Sequence, residues 1–322
     1  SPMIELTRNG ISECLHMGAL AVTDTDGRVL AHVGNPHWLC FTRSALKALQ
    51  ALPLIQSGGA QQLGLTSKEL ALMCASHNGE DMHLEQVSSI LQKSGNTYQQ
   101  LRCGCHVPYR FSFNDKPLPE GFAVDERHHN CSGKHSGFLA YCSLHGVSKE
   151  TYTELDHPLQ LQVRKAVADV TGVASENLGW GIDGCSVPTW AIPLKNLALA
   201  FARFSDPENK PAQRIIAAVR KHPFMVAGTG DFDTLIMEAV PRLFIKTGAE
   251  GVYCACIPHA GLGIALKVDD GAGRAAEVGI AAVLAGLDVW TPEEKATLDR
   301  FRHHDLANWR KIEVGEVRGL RL

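Results

Sequence analysis

Strand-forming segments lie at both ends of this 322-residue chain, and helix-forming segments fill its middle. Residues 16–34 alternate apolar and polar side chains around a turn signal at 24–27, a pattern typical of a β-hairpin. Further strands are predicted at 243–247, 252–257, 263–268 and 311–316. A hairpin cannot bury a sheet face alone, so we expect the N-terminal and C-terminal strands to join in one antiparallel sheet.

The middle of the chain is predicted to be mostly helical. Apolar residues recur every three positions from Arg43 to Ile55, and Thr66 with Glu69 has the pattern of a capping box. Further helices are predicted at 82–93, 136–145, 157–171, 194–203, 212–221, 232–239, 274–287 and 292–301. Residues 103–135 have no such period, and an irregular stretch of that length is usually functional.

These elements predict an α+β fold, in which helices flank an antiparallel sheet built from N- and C-terminal strands. A chain of 322 residues with 45% hydrophobic residues can bury a large core. We expect a single domain over residues 1–322. Its sheet part would comprise residues 1–40 plus 241–322, and its mostly helical part residues 41–240.

Charge and composition exclude several classes of function. The net charge of −3 and the pI near 6.6 give no reason to expect nucleic acid or an anionic membrane as a partner. No apolar run reaches the roughly 20 residues of a transmembrane helix. The ten cysteines lack the spacing of a disulfide framework, which indicates reduced thiols in a cytoplasmic protein. The N-terminus does not have a signal-peptide pattern, and we expect Ser1-Pro2 to precede the native start.

Residues 130–137, Asn-Cys-Ser-Gly-Lys-His-Ser-Gly, form a polar segment with almost no apolar side chains next to a predicted helix. Polar groups must find partners or face water, so burial alone does not explain this composition. Gly133 and Gly137 allow close approach to the backbone. The segment is therefore either a catalytic or ligand-binding loop, or a polar turn that precedes the helix.

Ser44 and Lys47 are three residues apart, so a helix would place both side chains on one face. A desolvated lysine can take the proton of a serine and make it nucleophilic. Alone, this pattern is weak evidence, because it occurs by chance in many chains and a solvated lysine accounts for it more often.

Two more segments follow in the order found in serine β-lactamases and penicillin-binding proteins. The triplet 76–78 (Ser-His-Asn) corresponds to Ser-Asp-Asn in those enzymes, and 246–248 is Lys-Thr-Gly. Residue 76 comes only 32 positions after Ser44, which is early for a β-lactamase. The order indicates a related fold and mechanism rather than lactam chemistry.

Cys131 and Cys185 could bind Zn²⁺, with a third ligand from Lys134, His135 or Asp183 and water in the fourth position. A lysine can bind zinc only through its neutral amine. The alternatives are two unrelated buried thiols, or a rival metal cluster within 103–106 (Cys-Gly-Cys-His).

Five segments, in register from residue 41 to 251, together resemble the Rhizobium etli-type (class 3) L-asparaginases of the asparaginase II family. They are Phe41-Thr42-Arg43-Ser44-x-x-Lys47, Ala75–Glu80, Cys131–His135, Gly181–Pro188 and Lys246–Gly251. The resemblance covers nearly the whole chain. It implies a fold similar to serine β-lactamases and glutaminases, a homodimer, and hydrolysis of L-asparagine.

The resemblance also implies roles for individual residues. Two Ser–Lys pairs would be Ser44 with Lys47, as nucleophile and base, and Ser76 with Lys246. The implied Zn²⁺ ligands are Cys131, Lys134 and Cys185, and we expect the metal to orient the substrate rather than to perform the chemistry. The residues expected to bind the substrate are Arg43, Asn78, His135, Asp183 and Glu250.

Two other interpretations stay open at this point. A penicillin-interacting serine hydrolase would share the Ser-x-x-Lys and Lys-Thr-Gly elements, although the thiols and the missing signal pattern speak against it. A zinc- or amino-acid-binding sensor would use Cys131 and Cys185 without turnover.

Overall fold

The computed structural model describes residues 1–113 and 116–320. The chain forms two compact units. The first unit comprises Ser1–Ala45, Ile192–Asp206 and the chain from Ile236 onward, and the second comprises Leu46–Ala191 and Pro207–Leu235.

An antiparallel sheet forms the first unit, and eight strands of the described chain belong to it. They are β1 (Pro2–Arg8), β2 (Ile11–Thr23), β3 (Val29–Val33), β7 (Phe244–Gly248), β8 (Val252–Ile257), β9 (Leu262–Val268), β10 (His303–Ala307) and β11 (Glu313–Gly319). The order is β10-β11-β1-β2-β9-β8-β7, and β3 pairs with the second half of β2. The predicted union of N- and C-terminal strands is confirmed, since Ile4 pairs with Gly319.

Two helices cover opposite faces of this sheet. A Cβ on Gly263 of β9 would meet the backbone of α8 (Leu194–Arg203), whereas Leu266 of the same strand contacts Gly279 of α12 (Gly273–Gly286). Positions three apart in a strand point to opposite sides, so α8 and α12 enclose the sheet. This unit also contains α13 (Pro292–Phe301) and the short strand β4 (Leu39–Phe41).

The second unit is mostly helical. Its helices are α1 (Lys47–Gln56), α2 (Gly59–Gln62), α3 (Ser67–Met73), α4 (Asp81–Lys93), α5 (Tyr109–Ser112), α6 (Ser132–His145), α7 (Pro158–Thr171), α9 (Lys210–Lys221) and α10 (Pro223–Val226). Helix α1 is buried from Lys47 to Ile55 and packs against α6, α7 and α9. The predicted capping box is present: Thr66 Oγ1 accepts from Glu69 N, and Glu69 Oε2 accepts from Thr66 N.

Three details complete the course of the chain. A hairpin joins β5 (Gly179–Ile182) to β6 (Pro188–Pro193), and α11 (Phe232–Ala239) crosses from the second unit into the first. The stretch predicted to be irregular contains α5 and a 3-10 turn at Glu126–His128, while residues 114 and 115 lie outside the described part. No helix of the described chain combines the length and the apolar character needed to cross a membrane.

The polar segment 130–137 differs from its prediction. The sequence suggested a loop before a helix starting at residue 136, but α6 begins at Ser132 and Ser132–Ala140 are buried. A Cβ on Gly133 would lie 2.3 Å from Leu72 O, and one on Gly137 would lie 2.7 Å from the Met73 side chain. The glycines are therefore contact points that let α6 pack closely against α3.

Candidate active site

A buried lysine–serine contact lies in the second unit. Lys47, the first residue of α1, is 0% exposed. Its Nζ lies 2.9 Å from Ser76 Oγ, 2.5 Å from Ala75 O and 3.5 Å from Asn130 O. Carbonyl oxygens only accept hydrogen bonds, whereas a hydroxyl also donates. The Ser76 hydroxyl is therefore the partner with which this amine can exchange a proton.

Asn78 is fixed two residues beyond Ser76. Its N–H donates to Ala227 O (2.8 Å), and its Nδ2 donates to Asp231 Oδ2 (3.4 Å). Gly228 has a φ of +127°, and a Cβ there would lie 2.4 Å from the Asn78 side chain. The Asn78 Oδ1 atom is buried and has no partner among the described residues, so it can accept a hydrogen bond from a ligand.

His77 donates a hydrogen bond to Ser132, whereas a histidine that activates a serine must accept the serine's proton. Ser132 Oγ donates to Arg127 O (2.7 Å), and its distance to His77 Nε2 is 2.9 Å. His77 Nδ1 accepts from Gly79 N, so Nε2 carries the proton and donates to the serine. Burial, followed by the effect of His83, lowers the pKa of His77 well below its usual value. His77 therefore acts as a neutral donor and not as a base toward Ser132.

Two thiols and an amine form a second buried cluster in the same unit. Lys134 Nζ donates to Cys185 Sγ at 3.0 Å, and the Cys131 and Cys185 thiols are hydrogen-bonded to each other. All three side chains are buried, and Asp183 Oδ2 lies 3.9 Å from Cys185 Sγ. The structure thus brings together the three ligands that the resemblance implies.

The protonation of this cluster follows from its contacts. The hydrogen bond from Cys185, supported by Lys47 and Lys134, lowers the pKa of Cys131 well below its usual value. The same hydrogen bond, together with burial, raises the pKa of Cys185. Burial alone would lower the pKa of Lys134, but Cys185, Cys131 and Asp183 outweigh it and raise that pKa. Without a metal, the Lys134 amine and the two sulfur atoms therefore stabilise each other's charged forms.

The donor set fits Zn²⁺ chemically. Two sulfur atoms in mutual contact, with an amine nitrogen against one of them, are soft and borderline donors of the kind that zinc prefers. Within residues 1–113 and 116–320, no group of three or more His, Cys, Asp or Glu side chains is arranged to hold a metal. A zinc site here consequently depends on the amine of Lys134.

The rival metal cluster at 103–106 is not assembled. Cys103 is buried and donates to Glu126 O, whereas Cys105 is exposed. His106 Nε2 accepts from Asn130 N at 2.9 Å, so its lone pair is already used. The Cys103 thiol has its pKa raised to about 12 by burial, which opposes thiolate formation.

The first unit contains the other predicted residues. Ser44 lies in a 3-10 turn (Arg43–Leu46), so the α-helix begins four residues later than expected. Arg43 has a φ of +47° and Glu250 a φ of +63°, a region that non-glycine residues rarely occupy. Arg43 Nη1 lies 3.8 Å from Glu250 Oε1. Strain of this kind often marks a functional position.

Lys246 is also part of the first unit. It is 0% exposed, and its Nζ donates to Thr247 O at 2.8 Å. Because Ser44 and Lys246 belong to one unit while Lys47 and Ser76 belong to the other, the two implied Ser–Lys pairs stay predictions.

Sequence reasoning missed several contributors to the second-unit site. The carbonyl groups of Ala75 and Asn130 hold Lys47, and no side-chain pattern reports a backbone acceptor. Tyr152, which is 0% exposed, hydrogen-bonds His135 Nδ1 at 2.7 Å. It lies 17 residues from its partner in a segment without periodicity, and no motif marks it.

Comparison with known proteins gives one match that spans the chain. The profile of the L-asparaginase II family matches residues 4–319. A comparison with curated protein sequences finds no significant match.

Two solved structures show a weak overall similarity. One is a β-lactamase from Mycobacterium bovis, with 15% identity, a TM-score of 0.42, and coverage of 88% of this chain and 95% of that one. The other is a mutant simvastatin synthase from Aspergillus terreus, with 12% identity, a TM-score of 0.30, and coverage of 88% and 90% respectively.

Proposed function

The chain belongs to the L-asparaginase II family, and on that premise we propose that it hydrolyses L-asparagine to L-aspartate and ammonia by Ser–Lys catalysis. The family supports an asparaginase-type hydrolase. The specific substrate, the catalytic residues and the zinc ion are the proposal.

The observation that carries the proposal is the contact between the buried Lys47 amine and the Ser76 hydroxyl, at 2.9 Å. A lysine amine beside a serine hydroxyl is an arrangement that activates serine in hydrolases, and here it joins Lys47, the base of the first implied pair, to Ser76, the serine of the second.

In the proposed mechanism, Ser44 Oγ forms a bond to the side-chain amide carbon of L-asparagine, and neutral Lys47 accepts the serine proton. Ser76 and Lys246 then pass this same proton from Lys47 to the amide nitrogen, the C–N bond breaks and ammonia leaves. Water then hydrolyses the aspartyl ester on Ser44, which restores the hydroxyl and yields L-aspartate. Backbone N–H groups beside Ser44 would stabilise the oxyanion.

The remaining residues would bind the substrate. Asn78 Oδ1, which has no partner among the described residues, is suited to accept a hydrogen bond from the α-amino group. Of the charged pair, Arg43 is suited to the α-carboxylate group and Glu250 to the α-amino group. Asp183 and His135 adjoin the thiol cluster and would contact the same groups. A bound Zn²⁺, held by Cys131, Lys134 and Cys185, would supply a positive charge that orients the substrate.

The homodimer and the cytoplasmic location implied by the resemblance belong to the same proposal. All ten cysteines are thiols rather than disulfide partners, which suits a reducing compartment. Sedimentation of the purified protein would test the homodimer, because a monomer at micromolar concentration would contradict it.

Ammonia release from L-asparagine and L-glutamine, with and without added Zn²⁺, tests the function directly. We expect turnover of L-asparagine, and Ser44→Ala should lower kcat at least about 1,000-fold. Near-normal turnover by that variant would remove Ser44 as the nucleophile. Nitrocefin hydrolysis without ammonia release would indicate a penicillin-interacting enzyme, and saturable binding without turnover would indicate a sensor.

Metal content separates the role of zinc from that of the serines. Cys185→Ser should lower zinc content, measured by atomic emission, and should raise KM more than it lowers kcat. Cys142→Ser is the matched control, since Cys142 is a buried thiol outside the proposed ligand set. Complete loss of kcat on chelation would instead assign the chemistry to the metal.

A further inference from the structure

His106 belongs to the 103–106 motif, to which the proposed mechanism gives no role. Contacts on several sides restrain its ring. Because a carbonyl oxygen only accepts, Nδ1 donates to Val107 O, at 2.7 Å. The ring stacks on Tyr109 with centroids 4.5 Å apart, and His129 meets it edge-on at 4.7 Å. A ring restrained in this way presents Nε2 in one fixed direction.

That direction leads to the backbone of Asn130. The Asn130 N–H donates to His106 Nε2 at 2.9 Å, whereas the Asn130 side-chain oxygen lies farther away, at 3.4 Å. Since Nδ1 carries the hydrogen that Val107 O accepts, Nε2 has a lone pair for the amide. The contact joins two parts of the chain that are 24 positions apart.

The carbonyl group of Asn130 lies at the candidate active site. Asn130 O accepts from His77 N at 3.2 Å and lies 3.5 Å from Lys47 Nζ. The same Lys47 amine is 2.9 Å from the Ser76 hydroxyl. A series of hydrogen bonds consequently runs from the His106 ring, through the Asn130 peptide groups, to the Lys47 amine.

The residues after His106 attach the same segment a second time. Arg110 N donates to Asn78 O at 3.0 Å. Gly79 has a φ of +78°, and a Cβ there would lie 2.8 Å from the Pro108 side chain. Residues 106–110 therefore lie directly against the active-site backbone, and a change in their contacts is transmitted to it.

We propose that His106 is a positioning residue for the Ser–Lys chemistry: by accepting the Asn130 N–H, it fixes the carbonyl group against which the Lys47 amine is held. The ring contacts neither the substrate nor a reacting atom in this proposal, so it acts through geometry alone. The inference rests on the proposed function for the reaction that is measured, whereas the hydrogen bond itself does not depend on turnover.

Two substitutions separate the acceptor atom from the ring. His106→Phe keeps an aromatic ring for the stack with Tyr109 but removes Nε2. His106→Gln loses the ring but places Oε1 near the position of Nε2, so it can accept from Asn130 N. With L-asparagine as substrate, we expect His106→Phe to lower kcat about 10-fold, the equivalent of one hydrogen bond, and to change KM less than about twofold. His106→Gln should restore most of the lost kcat.

His145→Phe is the matched control. His145 also stacks on a tyrosine, Tyr141 at 4.1 Å, but it is the last residue of α6, about 20 Å along the helix from Ser132. Its kcat should equal that of wild type. Unchanged kcat in His106→Phe would overturn the proposal, and so would equal losses in His106→Phe and His106→Gln, because the acceptor atom would then have no effect. A raised KM with unchanged kcat would also overturn it.

Amide hydrogen exchange, followed by NMR, measures the hydrogen bond without turnover. The Asn130 N–H should exchange slowly in wild type and in His106→Gln, and at least about tenfold faster in His106→Phe. Fast exchange in wild type would overturn the inference even if the protein releases ammonia. Absence of ammonia release, with an amide that loses its protection only in His106→Phe, would contradict the proposed function and leave His106 as the residue that fixes Asn130.

Discussion

The three oxygen atoms around Lys47 Nζ can serve as hydrogen-bond partners for the two hydrogen atoms and the lone pair of a neutral amine. A neutral amine has two N–H groups and one lone pair. The two N–H groups can be donated to Ala75 O and Asn130 O, and the lone pair can accept the Ser76 hydroxyl proton. The arrangement therefore suits an amine that exchanges a proton with the Ser76 hydroxyl.

This arrangement predicts the effect of removing the Ser76 hydroxyl. Ser76→Ala should lower kcat about 100- to 10,000-fold, the usual contribution of a positioned proton-transfer group, while KM changes little. Steady-state ammonia release from L-asparagine measures both constants. Ser57→Ala is the control, because that hydroxyl donates to Leu54 O at the end of α1 and has no proposed role. Equal kcat values in wild type and Ser76→Ala would exclude Ser76 from proton transfer.

At the scale of elements, α6 shows how helix packing and site geometry are linked. The helix carries Lys134 and His135 within its first turn and lies against α3 through Gly133 and Gly137. Sequence reasoning recognised that these glycines permit close approach, but it placed Gly133 in a loop. Composition alone could not correct this, because a buried helix with little apolar character has no amphipathic period to detect.

Gly133→Ala should therefore destabilise the protein although alanine is the better helix former. The added methyl group would collide with Leu72 O at 2.3 Å, and overpacking of this kind costs about 1–3 kcal/mol of unfolding free energy. Urea denaturation measures the change. Gly286→Ala is the matched control, because no atom lies within 4 Å of a Cβ at this helical position. It should be neutral or slightly stabilising, and equal effects of the two changes would contradict the packing argument.

The ion pair between Arg242 and Glu294 predicts a pH-dependent contribution to stability. Hydrogen bonds from Arg242 to this first-turn residue of α13 lower the pKa of Glu294 from 4.5 to about 2. A carboxylate with a lowered folded-state pKa stabilises the protein above its unfolded pKa and loses that effect as the pH falls toward 2.

Wild type should accordingly be more stable than Glu294→Gln at pH 7, and the difference should shrink between pH 4.5 and about 2. Glutamine keeps the capping box with Thr291, so the comparison isolates the charge. Urea denaturation at several pH values measures the difference, with Glu293→Gln on the same helical turn as the control. A difference that stays constant with pH would contradict the ion-pair account.

At the scale of the whole molecule, the sequence predicted the fold class but not every strand. The C-terminal strands β7, β8 and β9 were found within a residue or two because their apolar residues are buried on both faces. β10, with residues 303–307, was missed because its side chains are exposed or half-buried and give no hydrophobic alternation. β1 was missed too, and its place between β11 and β2 depends on a pairing partner more than 300 residues away, which no local pattern encodes.

Because the two chain ends meet inside the sheet, a core substitution near the C-terminus should weaken the first unit as a whole. Val317 of β11 is 0% exposed and pairs with both Leu6 and His304. Val317→Ala should lower the free energy of unfolding by about 1.5–3 kcal/mol, since it removes two buried carbon groups and leaves a cavity. Ile312→Ala, at a residue that is 48% exposed, should change it by less than about 0.5 kcal/mol. Denaturation of the full-length protein distinguishes the two, and equal effects would mean that β11 is not part of the cooperative core.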